Sequence, residues 1–152
     1  VFSVDQSREL ADRLDIVDVA IRYATALDTK NWLLLNEVFT PNGALAAGPI
    51  GEVNGPTAIA AAVARVLEGV TTQHLNANHI VSVTGDSATH NSYLVARHVR
   101  PEMSGTNWYV VAGTYSDRLV RTEQGWRIAY RRLDVTWTDG NPDAHPGAAP
   151  PG

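Results

Sequence analysis

Apolar residues recur at alternating steps of four and three near the start of the chain. Leu10, Leu14, Val17, Ile21 and Ala24 fall on one stripe, and this spacing predicts an amphipathic helix over residues 7–28. Asn31 is a suitable N-cap for a second helix, "WLLLNEVF", which stops before "TPNG". Residues 44–53 read as a short strand or hairpin. "GPTAIAAAVARVLEG" reads as a third helix, with Pro56 in its first turn and Gly69 at its end. From residue 71 the period changes to two. Three or four β-like runs follow, over 71–84, 88–100, 107–121 and 126–137, with "TGDS" and "TEQGW" as hairpin turns. Helices first and antiparallel strands after them predict an α+β domain. A curved sheet wrapped over the helices would make a cone enclosing a pocket. The expected organisation is one domain over 1–138 and an irregular tail over 139–152, where "DGNPDAHPGAAPPG" is rich in Pro, Gly and Ala.

Composition narrows the chemistry. A chain of 152 residues with 44% hydrophobic and 18% charged residues suits an ordinary globule with one sizeable core. The formal net charge of -4 gives no basic footprint for nucleic acid and no polybasic face for a membrane. The absence of cysteine excludes disulfides, thiolate nucleophiles and zinc–cysteine sites. Lys30 is the only lysine, so Schiff-base chemistry is confined to it. "VFSVDQSREL" does not read as a signal segment, and no apolar run reaches membrane-spanning length, so a cytoplasmic protein is expected. No glycine-rich phosphate loop and no Gly-x-Ser-x-Gly is present.

A few polar residues fall on apolar beats. Asp28 follows Ala24 by four, which turns a carboxylate toward the core unless the helix has already ended. In "TTQHLNANHIVSV", strict alternation puts His74, Asn76 and Asn78 on one face, and Leu75, Ala77, His79, Val81 and Val83 on the other. Periodicity does not choose the inward face. A three-residue "GDS" loop would set His74 opposite His98; a two-residue loop would set it opposite Arg97. In "WRIAYRRLDVTW", Ala129, Arg131, Leu133 and Val135 share one face, which makes Arg131 a candidate inward cation. Trp126, Ile128 and Tyr130 share the other. Metal binding is not expected. His74 and His79 point to opposite faces, and eight residues of strand put His90 and His98 about 26 Å apart. A His74–His98–Asp28 site has no local ligand motif.

The order of elements resembles the nuclear transport factor 2-like cone fold. More narrowly, the chain resembles its SnoaL-like branch, which includes scytalone dehydratase, bile-acid dehydratase and hexachlorocyclohexane dehydrochlorinase. The resemblance rests on "IVDVAIRYATALDTKNWLLLNEVFTPNGAL", "GPTAIAAAVARVLEG", "HLNANHIVSVTGDSAT" and "AGTYSDRLVRTEQGWRIAYRRL", most of residues 10–135. It implies that Asp28 and His74 form the branch's Asp–His dyad. Tyr23, Arg131 and His98 then match polar pocket positions, and Asn76 and Asn78 turn toward the cavity. Tyr109 and Val111 join them as expected substrate contacts. The implied activity is a cofactor-independent lyase of the dehydratase kind, acting on a small apolar cyclic substrate. His74 would be the base, Asp28 would orient it, and His98 would protonate a leaving hydroxyl. A polyketide cyclase-like or isomerase activity, or a non-catalytic binding or scaffold domain, is the alternative. The resemblance also implies a homo-oligomer, a trimer before a dimer. Trp126, Ile128 and Tyr130 with Trp108, Val110 and Ala112 would be its covered sheet face.

Overall fold

The computed structural model describes residue 1 and residues 3–148. Helix α1 (Val4–Thr29) opens on a capping box, with Ser3 and Gln6 satisfying each other's backbone N–H groups. A 3₁₀ turn follows (Trp32–Glu37), where a second helix was expected; Asn31 precedes it but makes no side-chain cap. Strands β1 (Phe39–Ala47) and β2 (Gly51–Asn54) form a short hairpin, and helix α2 spans Pro56–Val66. Four long strands complete the domain: β3 (Thr71–Thr84), β4 (Ser87–Val99), β5 (Trp108–Thr122) and β6 (Gly125–Gly140).

The six strands form one mixed sheet in the order β2-β1-β6-β5-β4-β3. Only β1 and β6 run parallel; the other neighbouring pairs are antiparallel. The helices lie in the hollow of this sheet. Ile16, Leu27, Leu35, Ile59, Leu119 and Ile128 are among the buried side chains between them. This is the expected α+β cone. Among the described residues, no helix is long and apolar enough to cross a membrane.

The buried face of α1 is not the predicted stripe. Asp12, Ile16, Val19, Tyr23 and Leu27 face the core. Leu10, Leu14 and Ile21 are 50%, 60% and 49% exposed. The two stripes differ by two residues, about 200° around the helix. Both are largely apolar, so periodicity alone does not separate them. The buried stripe includes Asp12, which accepts two bonds from Arg121 (2.6 and 2.7 Å) and one from the indole of Trp126 (3.0 Å). An acidic residue inside the core stripe, satisfied by three donors, hides that stripe from a hydrophobicity pattern.

Register shifts on β3 and β6 reset the sheet faces. On β3, Ala77 pairs with Tyr93 while Ile80 pairs with Asn91, so one extra residue is inserted. Asn78 takes it up at φ 54°, in the left-handed region that asparagine tolerates better than most residues. Thus His74 and Asn76 face inward, Asn78 is exposed, and His79, Val81 and Val83 face inward again. The expectation that His79 lies opposite His74 is corrected. On β6, register shifts beside Ala129 and Thr136 have the same effect. Trp126 and Ile128 are buried in the core, not on the outer face as expected, while Arg131, Leu133 and Val135 face inward after the shift. Gly113 sits at the second shift because a Cβ there would lie 2.3 Å from the Asp134 carbonyl oxygen.

The chain after β6 packs back on the domain. Two 3₁₀ turns, Pro142–Ala144 and Pro146–Ala148, carry Ala144 and His145 into buried positions. The last four residues of the expected irregular tail lie outside the described residues.

Candidate active site

Asp28 sits in the last turn of α1, two residues before the left-handed Lys30 (φ 58°) that ends the helix. The first residues of β3 close on it. The Thr72 hydroxyl donates to Asp28 Oδ1 (2.9 Å), the His74 backbone N–H donates to Oδ2 (3.0 Å), and His74 Nδ1 meets Oδ1 at 2.6 Å. Burial pushes the Asp28 carboxyl up, but the bonds from the His74 ring and backbone and from Thr72 outweigh it. The carboxyl is held below its ordinary range. An ionised Asp28 only accepts, so His74 Nδ1 carries a proton, and in the neutral ring the lone pair is then on Nε2.

His74 forms part of the wall of a cavity of ≈ 420 Å³ between the helices and the sheet; Asp28 stands behind it, outside that wall. Leu27, Val63, Leu94, Val111 and Leu133 give the cavity its apolar character. Its polar groups include Tyr23, Tyr109, Tyr115 and three imidazoles, those of His74, His98 and His145. His74 and His98 meet edge to face with ring centroids 5.9 Å apart. The turn between β3 and β4 is the two-residue Gly85-Asp86, but the Asn78 bulge moves the register by one. His74 therefore pairs with Ala96, not with His98 or Arg97, and His98 stands diagonally across from it. His98 Nδ1 donates to the Tyr109 carbonyl (3.3 Å). Burial, with the neighbouring His145 and His74, lowers its pKa to about 3. At neutral pH it is uncharged with its lone pair at Nε2, which makes it a hydrogen-bond acceptor there rather than an acid.

Tyr23 and Tyr115 meet edge to face at 5.9 Å. Burial pushes the Tyr23 hydroxyl up to about 12 and raises that of Tyr115 well above its ordinary value. Both keep their protons at neutral pH. Arg131 lies against their rings, its guanidinium carbon 4.5 Å from the Tyr23 centroid and 4.2 Å from that of Tyr115. It is fully buried and is not part of the cavity wall. Two of its nitrogens grip Asp117 at 2.8 Å each. The expected pocket cation thus reaches the cavity only through the tyrosines.

The other expected contacts divide. Tyr109 and Val111 line the cavity. Asn76 instead donates its amide to the Ala20 carbonyl (3.4 Å), tying β3 to α1, and Asn78 is exposed at the bulge. Neither is part of the cavity wall, so the strand's polar face is used for helix docking and for the bulge.

Sequence reasoning missed a second Asp–His pair. His90 Nδ1 donates to Asp117 Oδ2 (2.7 Å), and His90 Nε2 meets His79 Nδ1 at 2.9 Å. Both nitrogens of His90 are engaged and its side chain is buried, so no lone pair is left for a substrate. His74 differs in keeping one nitrogen free at the cavity wall. A signal for this buried group existed: Asp117 falls on the beat of Tyr115 and Leu119, as Arg131 falls on that of Leu133. Among the described residues, no three His, Cys, Asp or Glu side chains are arranged to hold a metal ion.

Residues 8–132 match the SnoaL-like domain family. The chain belongs to the SnoaL-like family. It is similar to the uncharacterized protein Rv2910c of Mycobacterium tuberculosis, 29% identical over 126 residues, covering 81% of this chain and 84% of that one. Among solved structures, the Kfla4162 protein of Kribbella flavida superposes with a TM-score of 0.83 at 25% identity, covering 93% of this chain and 99% of that one. A hexachlorocyclohexane dehydrochlorinase, LinA type 2, superposes with a TM-score of 0.78 at 17% identity, over 88% and 90% of the two chains. The likeness to the dehydrochlorinase is one of fold: this SnoaL-like domain is a nuclear transport factor 2-like cone.

Proposed function

We propose that the protein is a cofactor-independent lyase of the dehydratase kind, with His74 as its base and Asp28 as the residue that holds the base. The observation that carries this reading is the 2.6 Å Asp28–His74 contact at the wall of a largely apolar cavity. Asp28 fixes the tautomer that leaves Nε2 free and stabilises the imidazolium once it forms. The cavity volume and lining suit a small, mostly apolar cyclic molecule that carries a carbonyl.

In the proposed reaction, His74 Nε2 takes the proton from the carbon next to the carbonyl. The electron pair of the broken C–H bond moves into an enolate, and the Tyr23 hydroxyl, still protonated, donates to the developing oxyanion. The enolate then expels hydroxide from the neighbouring carbon. The His74 imidazolium returns its proton to that hydroxide, releasing water and an unsaturated ketone. One residue serves as base and then acid, so His98 need not donate a proton, and it holds none at Nε2. Reprotonation at a different carbon would make the same apparatus an isomerase.

The test is a spectrophotometric screen of cyclic β-hydroxy ketones for the rise in absorbance of the unsaturated product. His74→Ala and Asp28→Asn are each expected to lower turnover by roughly a hundredfold or more. Undiminished turnover in both variants would overturn the dyad. Binding without turnover across the screen would favour a ligand-binding pocket.

A further inference from the structure

The cavity holds a residue that the Asp28–His74 chemistry does not use and that arrives from outside the SnoaL-like match at 8–132. His145 is carried in by the strap that follows β6. Its ring lies parallel to that of His98, with centroids 3.9 Å apart and planes at 10°. The strap is anchored on both sides of it. Asn141 donates from its backbone to the Trp108 carbonyl (2.9 Å) and from its amide to the Thr106 carbonyl (2.9 Å), while its side-chain oxygen accepts from Asp143 (3.1 Å). The His145 backbone N–H donates to the Pro142 carbonyl (2.9 Å). Beyond it, Gly147 packs on α2, where a Cβ would lie 2.8 Å from a methyl carbon of Val66. His145 is 5% exposed, and its Nδ1 is buried with no hydrogen-bond partner among the described residues.

A buried ring nitrogen without a partner is a cost that folding normally avoids. Stacking on His98 does not relieve it, because hydrogen bonds to an imidazole lie in the plane of the ring. Parallel planes also keep the two rings' in-plane lone pairs from converging on a single metal ion. Neither ring can become a cation cheaply beside the other in an apolar cavity, and burial keeps both uncharged. Each therefore carries one lone pair and one N–H. His98 spends its N–H on Tyr109 and keeps its lone pair at Nε2. Two uncharged imidazoles at one pole of an apolar cavity are suited to a neutral ring that carries a hydroxyl donor, and poorly suited to a cation.

We propose that His145, stacked on His98, forms with it a site for the hydroxyl of a hydroxylated ring in this cavity, the hydroxyl proton going to one imidazole lone pair. The proposal names the substrate feature within the lyase reading above and rests on that reading only for its link to turnover.

Binding of an inert probe separates the two. β-Naphthol carries the hydroxyl donor, and its methyl ether has the same ring without it. Fluorescence titration of wild-type protein should show β-naphthol binding about tenfold tighter than the ether. In His145→Phe, which keeps a stacking ring and removes both nitrogens, that preference should fall by about fivefold or more while ether binding changes little. In wild-type protein, β-naphthol should also move the side-chain nitrogen NMR resonances of His145, a readout that needs no variant to fold. An unchanged preference in a folded His145→Phe, equal loss of both probes, or unmoved His145 resonances at saturation would overturn the site. Selective binding by protein that turns over no β-hydroxy ketone would leave the site standing and the lyase reading refuted. Turnover without selectivity would do the reverse.

Discussion

Acid should destabilise this protein well before its carboxylates protonate. His98 and His145 are buried and held neutral, with pKa values lowered to about 3 and about 4, chiefly by desolvation; neighbouring His74 contributes to both, and Arg100 and Lys30 to that of His145. In the unfolded chain both return to about 6.5. A folded-state pKa below the unfolded one means that the unfolded chain binds more protons. Stability is then fully present above the unfolded pKa and is lost as pH falls through about 6.5 toward the folded values. Between about pH 7 and pH 5, unfolding gains ~2 kcal/mol from each imidazole, or ~4 kcal/mol for the pair. A domain of this size has roughly 5–15 kcal/mol in hand, so this loss is a large share. Asp12, Asp28 and Asp117 act in the same direction, but their carboxyls are lowered below the ordinary range of about 4. Their loss comes at more acid pH than this window.

Urea unfolding at a series of pH values measures the effect directly. The comparison that isolates it is His145→Phe, which removes one of these two rings and keeps the stack; His79, whose pKa burial also lowers, is common to both proteins. Whatever that variant does to stability at neutral pH, its loss between about pH 7 and pH 5 should be smaller than that of wild type by ~2 kcal/mol. Equal slopes in the two proteins, or a wild type as stable at pH 5 as at pH 7, would refute the assignment of two neutral buried imidazoles.

Breaking the buried pair behind the tyrosines should be costly: Asp117→Asn leaves the guanidinium of Arg131 uncompensated and is expected to destabilise by about 3–5 kcal/mol in urea unfolding, with a smaller loss for His90→Ala. At the β3 bulge, Asn78→Ala should cost about 1 kcal/mol through its left-handed backbone while Asn78→Gly costs nothing or stabilises slightly, as thermal unfolding of the two variants would show. On the outer sheet face, Leu75, Val95, Ala112 and Trp137 lie side by side across four strands, and Leu75 and Trp137 are more than half exposed. If a homo-oligomer covers this row, Val95→Asp should lower the mass seen by sedimentation; a wild type that already sediments as a monomer would remove that reading.

The parts of the fold that were legible are those written in period and punctuation. The change from a helical to a two-residue repeat at residue 71 marks the real start of β3, and the glycine-containing turns end the strands within a residue or two of the observed bounds. What misled was any inference that carried a face across an irregularity. Alternation counted through Asn78 put Asn78 on the face of His74 and His79 on the opposite one, and one inserted residue exchanges the two. The same counting through Ala129 put Trp126 and Ile128 on the surface of a sheet that in fact buries them. A β-bulge has no strong local signature in one sequence: asparagine at a left-handed position is a hint, and Asn76 offers the same hint two residues earlier. Helix α1 failed for a different reason, since its core face contains Asp12 and its outer face contains Leu10, Leu14 and Ile21. Asp28 and His74 were reached by resemblance, because the contact between them spans 46 positions of chain and no spacing rule connects a helix end to a strand start. His145 lay outside both kinds of argument. It sits in a Pro- and Gly-rich stretch whose composition predicts no packing, yet Asn141 and Gly147 fasten that stretch down and deliver an imidazole to the cavity. Composition describes how a segment behaves when nothing holds it, and a few backbone hydrogen bonds at its ends are enough to make it part of a site.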